Sequence, residues 1–198
     1  PPPYTPANSP EAATTCVAET AIAKAAREGV LAGDVTDPRV VAAKAVFALA
    51  ECERQRFDSF VLNAETGDDF MKNVDLAKAQ FETARNLYQE TTTYRSLRWT
   101  IAGHARLGDL HAAFSGKLRG SDPPAEMREP MDRAAFLGEL DDVARTFDAG
   151  AAKAYASAVA SSDAEPGTVA QDTEARAWIL AACGSLARID PAATAGRP

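Results

Sequence analysis

Six apolar side chains at helical spacing constrain this chain more than any other feature of it. Phe70, Val74, Ala77, Phe81, Ala84 and Tyr88 recur in steps of three and four. That spacing puts all six on one face of an α-helix. Less regular versions return in Val41, Ala45, Ala48, Leu49 and Cys52, in Leu97, Ile101 and Ala105, in Phe136, Leu140, Val143 and Phe147, and in Ala175, Trp178, Ala182 and Leu186. Roughly one residue in five is alanine, which loses no side-chain entropy in a helix and lets neighbouring helices approach closely. No Val/Ile/Thr alternation of useful length competes with this pattern. The expected fold class is all-α.

Local signals divide the chain. Residues 1–9 read as a Pro-rich extended tether. Ser9-Pro10-Glu11 and Asp37-Pro38 open helices, with a capping side chain followed by proline. The first helix is expected to run to about Gly33. Residues 63–68 are expected to form a loop, Thr91-Thr92-Thr93 a polar break, and Gly108-Asp109 a tight turn. Gly120-Ser121-Asp122-Pro123-Pro124 is the strongest breaker. Phe147-Asp148-Ala149-Gly150 marks a turn or kink. Glu165-Pro166-Gly167 ends a unit, and Thr168 with Gln171 has capping-box spacing. The domain is taken as residues 10–191, with 192–198 as a flexible tail.

The chain carries a formal net charge of -7. Such a balance argues against nucleic acid, which selects a basic stripe, and against an electrostatic hold on anionic lipid. No apolar run reaches transmembrane length. The opening Pro1-Pro2-Pro3-Tyr4 lacks a methionine and a signal peptide, and reads as a processed form. Cys16, Cys52 and Cys183 have no ligand spacing for zinc. They read as buried small apolar residues. A single bridge, such as Cys16 to Cys52, is open in an oxidising compartment.

The question left by the helices is whether they repeat. Ala77-x3-Phe81-x2-Ala84 recurs as Ala151-x3-Tyr155-x2-Ala158. Small, aromatic, small at these offsets resembles the second helix of the tetratricopeptide (TPR) repeat. A weaker middle copy uses Gly108-Asp109-Leu110 and Ala113, with Lys117 where the aromatic belongs. Ala77, Ala113 and Ala151 are spaced a little above the ~34-residue period of that repeat. The string Ala45-Val46-Phe47-Ala48-Leu49-Ala50-Glu51-Cys52 is similar to the first helix of TPR proteins from myxobacteria and related bacteria. Phe81-Glu82-Thr83-Ala84-Arg85, His104-Ala105-Arg106-Leu107-Gly108-Asp109-Leu110, and Phe114 with Lys117-Leu118 extend the resemblance. So do Met131 through Ala158, and Trp178, Leu186 and Pro191. The resemblance implies antiparallel helical hairpins stacked as a short TPR-like superhelix with a C-terminal capping helix. It also implies an exported scaffold, periplasmic or associated with the outer membrane.

The expected function is a protein–protein interaction module that holds a peptide or protein partner in a helical groove. Tyr94, Arg95, Arg98, His104 and Arg106 are the candidate partner-binding residues. Cationic and aromatic side chains in that position suit an acidic or C-terminal peptide, although an ordinary solvated face accounts for the same residues. Trp99 and Trp178 read as core more readily than as ligand platforms. His104 and His111 share a face only if the helix is unbroken, and no metal or other cofactor is expected. No nucleophile elbow or phosphate-binding glycine loop is present, so no catalytic residue is named. An all-α enzyme or small-ligand receptor, its pocket assembled from distant helices, is the alternative. Self-association within an envelope assembly is a third reading.

Overall fold

The computed structural model describes residues 10–29 and 37–194, and within them the chain forms α-helices and no strand. The seven helices are α1 (Pro10–Arg27), α2 (Pro38–Ser59), α3 (Gly67–Thr93), α4 (Leu97–Arg119), α5 (Pro130–Ala164), α6 (Pro166–Gln171) and α7 (Thr173–Ile189). A single 3-10 turn, Pro191–Thr194, follows. The Pro-rich lead and the last four residues lie outside the described residues.

Helix starts follow local chemistry. Asp37 caps α2 by accepting from the Arg39 amide at 3.0 Å, with Pro38 in the first turn. Thr66 caps α3 through the Asp69 amide. α7 is capped by Asp172, whose Oδ1 accepts from the amides of Glu174 and Ala175. That start lies beyond Thr168 and Gln171, which sit inside the short α6. Proline fixes φ for a first turn, so Pro130 and Pro166 open α5 and α6 as well.

Four expected boundaries are corrected. α1 ends at Arg27, followed by Gly29 at φ 70, so it stops short of Gly33. Thr91, Thr92 and Thr93 remain in α3. Their hydroxyls donate to the carbonyls of Leu87, Gln89 and Glu90 in the preceding turn, which lets a threonine run stay helical. The reversal comes at Arg95, which takes a left-handed φ of 55. Neither Gly108 nor Gly150 interrupts its helix. A Cβ on Gly108 would lie 2.5 Å from the Tyr155 ring, and one on Gly150 would lie 2.4 Å from the His111 ring. Each glycine accommodates a ring from the other helix. The middle hairpin expected at Gly108-Asp109 therefore does not exist.

Successive helices pack on one another: α1 on α2, α2 on α3, α3 on α4, α4 on α5, and α5 on α7. Cross-contacts set their direction. Glu51 meets Tyr88 while Phe57 meets Phe81, so α2 and α3 are antiparallel. Arg119 meets Asp141 while Asp109 meets Tyr155, so α4 and α5 are too. α4 also touches α2 and α7, and these pairs run parallel. Phe47, Glu51 and Phe57 on α2 meet Trp99, Arg106 and Phe114 on α4. Arg98 and Arg106 on α4 meet Asp172 and Trp178 at α7.

The main core holds Phe47, Phe57, Phe70, Phe81, Tyr88, Leu110, Phe114 and Leu118. A second cluster joins Ala105, Ala151, Tyr155, Ala158, Val159, Ala182 and Leu186. Both small–aromatic–small triplets are buried, Ala77, Phe81 and Ala84 in the first core and Ala151, Tyr155 and Ala158 in the second. Trp178 packs against three of the apolar clusters, and Trp99 lies against the main core.

Candidate functional site

The five residues expected to bind a partner are spread over the end of α3, the α3–α4 turn and α4. Tyr94 closes α3, half-buried, with its hydroxyl donating to Glu90 at 3.1 Å. Arg95 is exposed in the α3–α4 turn. Arg98 joins the starts of α4 and α7, its Nε 2.6 Å from Asp172 and its Nη1 2.8 Å from Glu174. His104 is half-buried, and loss of hydration lowers its pKa. Arg106 lies two turns beyond Arg98, inside a polar joint that the sequence pattern did not reveal. α4 is unbroken, so His104 and His111 share a face.

That joint assembles residues from five helices. Glu51, Arg54 and Asp58 come from α2, Tyr88 from α3, Arg106 and Asp109 from α4, Tyr155 from α5, and Trp178 from α7. Arg106 reaches Glu51 through Nε at 3.2 Å and Asp109 through Nη1 at 3.1 Å. Its guanidinium lies 4.9 Å from the Trp178 ring centroid, within cation–π range. Arg54 lies 3.5 Å from both Asp58 and Asp109. The Tyr88 hydroxyl donates to Glu51, and the Tyr155 hydroxyl donates to Asp109 at 2.7 Å. Aromatic packing continues the joint, with Phe47 5.2 Å from Trp99 and 6.0 Å from Trp178.

Electrostatics keep this arrangement fixed. Burial, reinforced by Glu51, pushes the Tyr88 hydroxyl well above its ordinary pKa. Burial and Asp109 do the same for Tyr155. Both phenols are therefore neutral donors across the physiological range. Burial opposes the charge on Arg54, while the carboxylates of Asp58, Asp109 and Glu51 favour it, and its pKa is raised. Three carboxylates face two guanidiniums. Glu51, Asp58 and Asp109 keep about 30% of their side-chain surface exposed, against 18% for Arg54 and 21% for Arg106. The carboxylates of the joint are thus somewhat more accessible than its guanidiniums.

Among the described residues, no group of three or more His, Cys, Asp or Glu is placed to hold a metal ion. None of their helices is long and apolar enough to cross a membrane. Cys16 and Cys52 are bonded to each other, which corrects the reading of both as free apolar residues. Cys183 is free and packs beside the second cluster. The chain matches no family model, no curated protein and no solved structure.

Proposed function

We propose that this chain is a protein-interaction module, a short TPR-like array of the hairpins α2/α3 and α4/α5 closed by α7 as a capping helix. The observation that carries the reading is the parallel placement of α2, α4 and α7 across alternating helices, with a buried small–aromatic–small triplet on each of α3 and α5. Stacked helical pairs bury a continuous core between neighbours and leave one row of helices to face a partner. The α2–α4 joint lies on that row. Its partly exposed carboxylates suit a partner segment that brings donors, a basic or amide side chain, better than an acidic one. The Cys16–Cys52 bond supports an oxidising location such as the periplasm or the outer cell envelope.

Affinity capture from envelope and soluble fractions tests this. The baits are the intact chain, an Arg95→Ala/Arg98→Ala variant and a Glu51→Gln/Asp58→Asn variant. A partner held by the intact chain and lost from the second variant places recognition at the joint. Loss from the first variant places it at the α3–α4 turn or at the adjoining starts of α4 and α7, where Arg98 sits. Absence of a saturable partner for every bait argues against an interaction module.

A further inference from the structure

Three contacts of the described residues of α1 with the rest of the protein stand out. Its Cys16 is bonded to Cys52 of α2, with the Cα atoms 6.0 Å apart. Ala23 packs against Ala45 and Val46, with Leu49, Leu87 and Tyr94 around them. Arg27 makes a two-pronged contact with Glu90 at 2.7 and 2.6 Å.

The two non-covalent contacts are weak ones. Ala23 is the only fully buried side chain among the described residues of α1, and it contributes a single methyl group. Val17 is 72% exposed and Ile22 37%. The Arg27–Glu90 pair keeps 45% and 28% of its side-chain surface, so solvent screens it. By contrast, the main core of aromatic and aliphatic residues contains no described residue of α1. Among the described residues, the disulfide is thus the strongest tie between α1 and the rest of the protein.

We propose that α1 is a redox-latched cover over the α2–α3 edge. With the Cys16–Cys52 bond intact, α1 shields Ala45, Val46, Leu49 and Leu87. A dithiol reductant opens the latch. One of its thiolates attacks the sulfur of Cys16, the more exposed of the pair. The S–S bond breaks, and Cys52 leaves as a thiolate that takes a proton. The second thiolate then attacks the mixed disulfide and releases Cys16 as a thiol. Two electrons pass to the protein and the dithiol becomes a disulfide. α1 then leaves its seat and the apolar edge beneath it is bared.

Hydrogen exchange on the full chain, with and without dithiothreitol, tests the latch, together with thiol titration and binding of an apolar dye. The oxidised protein should show one reactive thiol after denaturation, from Cys183. Reduction should cut amide protection at least tenfold over residues 16–27, leave α3–α5 unchanged and raise dye binding. A Cys16→Ser/Cys52→Ser variant should match the reduced state without reductant. Arg27→Ala, with the bond intact, should keep α1 protected. The proposal is overturned if the oxidised protein titrates three thiols or if reduced α1 keeps its protection. Loss of protection throughout the chain also overturns it, because the bond would then staple the whole fold.

Discussion

Gly108 and Gly150 sit inside helices, where glycine costs about 1 kcal/mol relative to alanine. Both leave space that a ring fills: Tyr155 over Gly108, and His111 over Gly150. Alanine at either position should therefore destabilise the fold by about 1–3 kcal/mol despite its better helix propensity, as read by urea unfolding. Pairing Gly150→Ala with His111→Ala should recover much of the loss attributed to Gly150→Ala, since the clashing ring is gone. A Gly150→Ala variant more stable than the parent would show that the close approach is absent. The two histidines give this scale a pH dependence. Burial lowers the pKa of His104, and burial with Arg85 lowers that of His111. The unfolded chain then binds protons that the folded chain refuses. Stability should be full above about pH 6.5, fall as pH drops below that value, and level off once the depressed folded pKa values are passed. A His104→Gln/His111→Gln variant should flatten the decline between pH 7 and 5 in thermal melts. The declining limb below about pH 4 should survive in that variant. It belongs to Glu90, Asp141 and Asp148, whose pKa values their arginine partners hold down, and to Asp172, whose burial is outweighed by the α7 amides and Arg98.

At the scale of the element, helix starts are legible where a cap and a proline coincide, as at Asp37-Pro38. Breaks are less so. Threonine and glycine signal a stop only when nothing in the tertiary structure uses them, and here Thr91–Thr93 bond back to their own helix while the glycines receive rings. Lys117 makes the same point. It stands where a repeat would place an aromatic, yet it donates to the carbonyls of Asp58 and Phe60 at 2.9 and 2.7 Å and lies over the Phe57 ring. It thereby satisfies a last-turn carbonyl of α2 and that of its C-cap residue, which have no partner inside the helix. Lys117→Met keeps the stem and removes the donors. It should cost about 1–3 kcal/mol in chemical denaturation, with exchange rising first in the last turn of α2. An unchanged midpoint would assign those carbonyls to water.

The joint lies beyond any local reading because its members are set by the whole molecule. Glu51 and Arg106 are far apart in sequence and meet only because α2 and α4 run side by side in the same direction. The pattern along each helix is legible, whereas the pairing of one helix with the next but one is not. Trp178 is where that longer-range order can be probed. It packs against three apolar clusters, over Arg106 and near Phe47, so it ties the last helix to α2 and α4 together. Trp178→Ala should cost about 2–4 kcal/mol, below the range for a fully buried tryptophan because Trp178 is half-buried. The distribution of the loss matters more than its size. In a stack stabilised by neighbours, damage at one end loosens that end first. Amide exchange should accelerate in α6 and α7, spread more weakly into α5, and leave α2 and α3 near their original rates. A closed cooperative bundle would instead lose protection evenly along the chain, and that outcome would remove the support for a repeat array on which the interaction reading rests.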